Sequence, residues 1–345
     1  MYDTIIGIDL AKHLIQICVV VNGTVISNKE ITAQEFSSWL VNTQPAMIIF
    51  ESCATSNYWQ QVAKDAGHNA CIISAKLVAN IRQHQKTDKN DALAIVQASQ
   101  LVDIKFINGK TFSQQELQSI MRMRELAVKH KVALRNQIEG LLLEFNIKVS
   151  RRKGGLSGTV QSVLEDAENN FCLPFRDALN ATWQHYLHCV ENIKTFDRLL
   201  SEVIKLHPDC EKLLALEGVS IINAIHLYIA IGCGEAGLFQ SGRDAAACIG
   251  LTPIQHSSGG KVKLGSIGRF VKNVSLRSYL INGAMSVVYH VDKRAARTKK
   301  EKWLKDLLTR RSKKCAAVAL ANKTVRTAYA MLTKGTEYKA VPLEV

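Results

Sequence analysis

Four carboxylates stand where an α/β chain could use them for chemistry. Asp9 closes the β-branched run Thr4-Ile5-Ile6-Gly7-Ile8, within the segment GIDLAK. Glu51 follows Ala46-Met47-Ile48-Ile49-Phe50 in the same way. Asp88 and Asp91 lie in KTDKNDA at i and i+3, so a helix starting there carries both on one face near its N-terminus. A carboxylate at the end of a buried strand is costly unless a cation meets it. Several together make a hard oxygen donor set suited to divalent metal ions. A plainer use exists: Thr87 or Asp88 can cap the helix and Asp91 can favour its dipole. That explanation weakens once Asp9 and Glu51 are added, because each ends an expected strand of the same domain.

The surrounding pattern supplies those elements. Strands are expected over 4–9 and 14–21, with Asn22-Gly23 as a hairpin turn and a third strand starting at Val25. Thr32 and Glu35 form a capping-box pair ahead of a helix over 33–41. A strand over 46–50, a helix over 56–66, a strand over 70–73 and a helix from 75 or 76 follow, and the helix bearing Asp88 and Asp91 runs to about Ser99. Hairpin strands followed by alternating strands and helices indicate an α/β domain around a mixed sheet, over residues 1–110. Next come two long stretches without a helix breaker except Gly140. Leu134, Ile138, Leu141 and Phe145 in one, and Leu179, Trp183, Tyr186, Val190 and Ile193 in the other, repeat at coiled-coil spacing. They predict an antiparallel helical pair over 111–207, joined by the basic, Gly-rich connection Arg151 to Gly158, serving as a rigid spacer or a dimerisation arm. Beyond it, short helices separated by glycines predict a mostly helical C-terminal domain over 208–345.

Composition bounds the partners. The chain has 345 residues and is 47% hydrophobic, enough for two or three packed domains. No apolar run is long enough for a membrane span. The opening residues lack a basic stretch ahead of an apolar core, so a cytoplasmic protein is expected. Nine cysteines without a CxxC fit reduced, mostly buried thiols better than disulfides or a zinc site. The net charge of +14 is unevenly placed. Residues 1–112 carry 9 Lys and Arg against 9 Asp and Glu, residues 113–250 carry 15 against 16, and residues 251–345 carry 20 against 5. A basic block on an otherwise neutral chain is the footprint of a polyanion such as nucleic acid.

That block opens with GLTPIQHSSGGK, where Ser257 and Ser258 precede paired glycines in an expected loop. Such a loop can expose a hydroxyl and let a phosphate backbone approach closely, although a simple polar turn would read alike. Lys261, Lys263, Arg269, Lys272 and Arg277 follow, then Lys299, Lys300, Arg310 and Arg311 in a tail interleaved with Trp303, Leu304, Leu307 and Leu308. This predicts an amphipathic basic helix pair suited to phosphate contacts.

GIDLAK, FESC before Tyr58-Trp59, KTDKNDA and GLTPIQHSSGGK, in that order, resemble the DEDD transposases of bacterial insertion sequences. The resemblance is to insertion-sequence family one-ten with its eleven-eleven subgroup, related to the Piv DNA invertases, and LRNQIEGLLLEFN over 134–146 resembles that subgroup as well. It implies a RuvC-like, RNase H-type N-terminal domain, a helical coiled-coil linker and a C-terminal transposase domain. It implies that Asp9, Glu51, Asp88 and Asp91 hold Mg²⁺, as two ions, and that Ser258 is the nucleophile, by the Pro-x-x-x-x-Ser-Gly spacing from Pro253. The implied partners are DNA (element ends and target), a noncoding guide RNA encoded by the element, and further copies of the chain in a homodimer or homotetramer, with nucleoid association during action. Two segments depart from the family pattern: Arg269-Phe270-Val271-Lys272-Asn273 lacks a glycine, and Glu217-Gly218-Val219-Ser220 stands in place of a Pro-Gly-x-Gly turn. The alternative is a RuvC-like structure-specific nuclease using metal-activated water. A binding protein with a dead RNase H-like domain is disfavoured by the four retained acids. A sugar-kinase-like ATPase is disfavoured by Leu10-Ala11, where a phosphate-binding glycine is expected.

Overall fold

Alternation along the first strands decides how the N-terminal half is layered. In the computed structural model, which describes residues 4–107, 109–150, 154–233, 239–268 and 273–343, β1 (Thr4–Leu10), β2 (Leu14–Val21) and β3 (Thr24–Thr32) form an antiparallel meander. β4 (Met47–Glu51) pairs parallel with β1, and β5 (Asn69–Ile73) pairs parallel with β4. The sheet order is β3-β2-β1-β4-β5. Parallel neighbours need crossovers, supplied by α1 (Ala33–Asn42) and α2 (Ser56–Asp65). Successive side chains leave opposite faces of a strand. Ile6, Ile8, Ile48 and Phe50 therefore bury on one face, with Phe36 and Leu40 of α1 and Ala63 of α2. Ile5, Met47 and Ile49 take the other, against α3 (Ala75–Ile81) and α4 (Asp88–Ser99). The expected capping box is formed, with Thr32 accepting from the Glu35 N–H and Glu35 accepting from the Thr32 N–H.

The helical unit spans 115–208 by its contacts. It holds α5 (Phe112–Glu144), α6 (Gly155–Glu165) and α7 (Leu173–Val203). Arg124 pairs with Asp197, while Ile138 and Leu142 cluster with Leu179 and Trp183, so α5 and α7 run antiparallel. The sequence suggested only a connection where α6 stands. Gly154, with φ of +61°, precedes this helix, and Leu156, Val160 and Val163 step by 4 and 3 to bury in the same cluster. Two glycines at its start hid this short helical period. Arg151, Arg152 and Lys153 lie outside the described residues.

Residues 209–345 share a unit with residues 1–114. They contain α8 (Pro208–Glu211), α9 (Ile221–Leu227), α10 (Gly242–Cys248), a hairpin of β6 (Pro253–Ser258) and β7 (Lys261–Ile267), then α11 (Val274–Asp292), α12 (Lys299–Leu308) and α13 (Lys313–Lys334). The chain is thus a mixed α/β N-terminal part with a mostly helical remainder. No described helix is long and apolar enough to cross a membrane. The cysteines form no disulfide among the described residues, but burial is less general than the composition suggested: Cys18, Cys189, Cys210 and Cys233 are buried, while Cys53, Cys172, Cys248 and Cys315 are exposed.

Candidate active site

β1 and β4 run in parallel register with Ile8 opposite Phe50, so Asp9 and Glu51 are the next residues along adjacent strands. Ile8 and Phe50 face α1 and α2. By alternation Asp9 and Glu51 take the opposite face, toward α4. α4 can lie against β1 because Gly7 has no side chain. A Cβ there would stand 2.3 Å from the Ala92 carbonyl oxygen and 2.7 Å from Val96 Cγ2. Thr87 caps α4 by accepting from the Asn90 N–H, and Asn28 of β3 donates to the Lys89 carbonyl at 3.0 Å. These anchors hold the first turn, with Asp88 and Asp91, at the acidic end of the sheet.

The electrostatics record that proximity. Asp9 is pushed up to about 6, chiefly by burial and then by Asp88 and Asp91, against the opposing pull of Lys86. Glu51 is also raised, by burial and then by Asp9 and Asp91, with Lys86 and Arg82 opposing. Asp91 is 6% exposed and accepts from Arg82 at 2.8 Å. Carboxyl groups raised by neighbouring carboxylates are short of positive charge, and an all-oxygen donor set fits a hard divalent cation. Sequence reading singled out the acids but missed Arg82 and Gly7. A glycine inside a β-branched strand is the signal that could have found Gly7, since it marks close backbone approach.

The serine segment is a hairpin rather than a loop. Gly259 (φ +55°) and Gly260 (φ +77°) form the two-residue turn, with Ser258 opposite Lys261. Two positive φ values in succession suit the twist of paired strands. Ser257 accepts from Gln255 Nε2 at 2.8 Å. Ser258 is exposed, its hydroxyl has no hydrogen bond among the described residues, and none links it to the four acids. The hairpin is exposed from Gln255 through Leu264 and stands as a separate two-stranded sheet. Its base is held by Arg277, which donates to the Gly250 carbonyl at 3.1 Å, and by Asn322, which donates to that of Leu251 at 3.2 Å.

The basic residues divide into several settings. Lys261 and Lys263 are exposed on β7, and Arg310 and Arg311 are exposed between α12 and α13. Lys299 is exposed at the start of α12. Arg277 is half-buried and fixes the hairpin base. Lys300 donates to Glu217 at 2.7 Å and lies over the Tyr338 ring. Arg269 and Lys272 lie outside the described residues. Sequence reading also missed a basic cleft of about 630 Å³ lined by Trp303, Lys314, Lys323 and Arg326 along with Pro253 and Ile267 of the hairpin. Lys323 lies 4.1 Å from the centre of the Trp303 ring. Burial, then Lys300 and Arg326, lower its pKa. A cation crowded by cations, beside an aromatic face, suits an anionic, stacking ligand.

Comparison with known proteins shows the family of the chain. Residues 6–147 match the transposase family of DEDD type found in IS110 elements, and residues 210–301 match the description "Transposase IS116/IS110/IS902 family". The chain is 32% identical, over 97% of its length and 91% of the relative's, to the transposase for insertion sequence element IS1111A of Coxiella burnetii. It is 30% identical, over 97% and 98%, to the transposase for insertion sequence element IS1328 of Yersinia enterocolitica. It is also 26% identical, over 84% of both chains, to a pilin gene-inverting protein of Moraxella bovis.

Proposed function

The chain belongs to the IS116/IS110/IS902 transposase family, and from that premise we propose that it cuts and rejoins DNA by transesterification, with Ser258 as nucleophile. It is a DNA transposase or recombinase, and membership of a DEDD family implies use of a divalent metal. The observation that carries the finer reading is the acidic cluster, in which Asp9 is raised to about 6 by burial and by the Asp88 and Asp91 charges. Asp9, Glu51, Asp88 and Asp91 would hold the metal, as two Mg²⁺ ions, in an N-terminal domain of RuvC-like, RNase H type. When bound, the ions supply charge stabilisation at the phosphoryl oxygens.

In this reading the Ser258 hydroxyl attacks a backbone phosphorus. Its Oγ–P bond forms as the bond to the leaving deoxyribose oxygen breaks, and the hydroxyl proton passes to that oxygen or to solvent. The resulting phosphoserine ester retains a phosphodiester, so a strand hydroxyl can reverse the step and join a new end without ATP. Ser258 suits the role better than Ser257, whose hydroxyl already accepts from Gln255. Lys261 and Lys263 flank it and would neutralise the attacked strand. Residues 251–345, with 20 basic against 5 acidic residues, would bind the element ends, the target and a guide RNA transcribed from the element. Because no hydrogen bond among the described residues links Ser258 to the acids, we assign the complete site to a homodimer or homotetramer, and we place the protein in the cytoplasm at the nucleoid.

The test is a circularised element junction incubated with protein and Mg²⁺, with and without the RNA flanking the element. Denaturing gels read covalent protein–DNA adducts and joined products. Wild type forms both, Ser258→Ala forms neither yet still binds junction DNA, and Asp9→Ala forms neither. Full strand exchange by Ser258→Ala would overturn the serine mechanism and leave metal-activated water as nucleophile. Equal activity without the RNA would remove the guide.

A further inference from the structure

The helical unit carries a cluster that the recombination chemistry does not use. His130 of α5 and His185 and Cys189 of α7 bring one ligand atom each to within 4.8 Å of one another. His185 and Cys189 are i and i+4, so they share a face of α7. The antiparallel register set by Arg124–Asp197 on one side and by Ile138 with Trp183 on the other brings His130 opposite them. The two imidazole rings stand 6.4 Å apart at 70° and do not stack. None of the three side chains spends its nitrogen or sulfur on a hydrogen bond among the described residues. Cys189 is buried at 4% exposure, while both histidines are exposed, so the site has a sulfur at its floor and an open mouth.

Its surroundings give the cluster a purpose. Between Ala127 and Ile138 no residue of α5 is buried, and between Trp183 and Leu200 of α7 only Cys189 is. The cluster thus occupies the stretch where the helical pair has least apolar packing, about 12 Å along α5 from Ile138 at 1.5 Å per residue.

We propose that His130, His185 and Cys189 bind one divalent cation of the zinc class, which staples α5 to α7. Two imidazole nitrogens and a thiolate suit Zn²⁺ and disfavour Mg²⁺, which takes oxygen ligands. A water completes the tetrahedron at the open mouth. Binding displaces the Cys189 thiol proton to solvent, forming one sulfur–metal and two nitrogen–metal bonds with no redox change. The scattered cysteines of the sequence carry no CxxC, so only the fold brings this ligand set together.

The test uses full-length protein, reduced and stripped with chelator, in excess Mg²⁺ so that oxygen sites are filled. Titration with Co²⁺ should give a thiolate-to-metal charge-transfer band and strong tetrahedral visible bands that saturate at one equivalent. Zn²⁺ should abolish both. Cys189→Ser and Cys189→Ala should lose the charge-transfer band, Cys172→Ser should keep it, and His130→Gln and His185→Gln should weaken binding by about tenfold or more. Zn²⁺ should raise the Tm of wild type and not of His130→Gln, a substitution at an exposed position that leaves the buried core intact. Absence of a thiolate band in wild type would overturn the proposal, as would a band that survives both Cys189 substitutions.

Discussion

The acidic cluster and the serine hairpin are two halves of one proposed chemistry, built in opposite ways. The acids stand at the end of a five-stranded sheet, with α4 pressed onto β1 at Gly7 and Asp91 held by Arg82. Ser258 stands at the tip of a two-stranded ribbon exposed along most of its length, with Val262 and Leu264 more than 60% exposed. A lone hairpin is marginally stable in water, so the ribbon depends on its anchored base at Gly250 and Leu251. One half is anchored to the sheet and charge-strained. The other offers an unencumbered hydroxyl that substrate, or a second copy of the chain, must order. In the proposed mechanism, a site divided in this way would stay inactive until both halves meet on DNA.

The sharpest break of that contrast is Asp9→Ala. Strand cleavage should fall by about 10³-fold or more, since charge stabilisation by a bound metal is worth several kcal/mol, while DNA binding through residues 251–345 persists. Calorimetric titration with Mn²⁺ separates the halves: Asp9→Ala should lose binding, whereas Ser258→Ala should titrate like wild type. Loss of Mn²⁺ binding in Ser258→Ala would erase the proposed division. Next in size is Gly7→Val. Its Cβ would meet the Ala92 carbonyl at 2.3 Å, which is backbone and has no rotamer to yield. Overpacking of this kind costs about 3 kcal/mol, visible as a lower Tm together with weakened Mn²⁺ binding as α4 lifts from β1. Gly260→Ala at the hairpin turn should cost only about 1 kcal/mol, because nothing lies within 4 Å of its Cβ position and only the φ of +77° is strained. An equal cost at the two glycines would show that the hairpin is as tightly built as the sheet.

The same contrast explains what could be read in advance. The placement of Asp9 and Glu51 near strand ends, the capping pair Thr32 and Glu35, and the i, i+3 pair Asp88 and Asp91 are local patterns, and local patterns survive in sequence. Arg82 could not be found that way, because its partner Asp91 is reached only through the α3–α4 turn. The hairpin was hidden because its strands bury little, so the apolar alternation that identifies a half-buried strand is weak in QHSSGGKVKLGSI. Lys323 and Arg326 sit on α13, beyond the dense basic run, and become a cleft only when Trp303 of α12 and the hairpin close around them.

A smaller effect tests whether the hairpin touches the nucleic-acid backbone. Lys261 and Lys263 are exposed beside Ser258. If each neutralises one phosphate, the double substitution Lys261→Ala, Lys263→Ala lowers the slope of log affinity against log salt by about 2 and weakens junction binding by about tenfold at moderate salt. Filter binding across a salt series reads both. An unchanged slope would assign the phosphate contacts to Arg310, Arg311 and the α13 cleft instead.

The smallest effect asks whether the acidic half is strained before metal arrives. The Asp9 carboxyl, ordinarily near 3.8, is raised to about 6 in the folded chain by burial and by Asp88 and Asp91. The folded state therefore holds its proton more tightly than the unfolded state, and between those two values it binds more protons. Stability falls as pH rises through that window and stays lower above it. Asp9→Asn removes this titration. Without metal, the variant should melt above wild type at about pH 7.5 by about 2–4 °C, after discounting the strain to about 1 kcal/mol for partial exposure. The gap should narrow at about pH 4.5, where the wild-type carboxyl is mostly protonated. Excess Mn²⁺ should invert the order at the higher pH, because a ligand that binds only the folded wild type raises its Tm by mass action and leaves the variant in place. Parallel melting of the two proteins at both pH values, with and without Mn²⁺, would mean that Asp9 is neither strained nor a metal ligand. The acidic half of the comparison would then have to be rebuilt around Glu51 and Asp91.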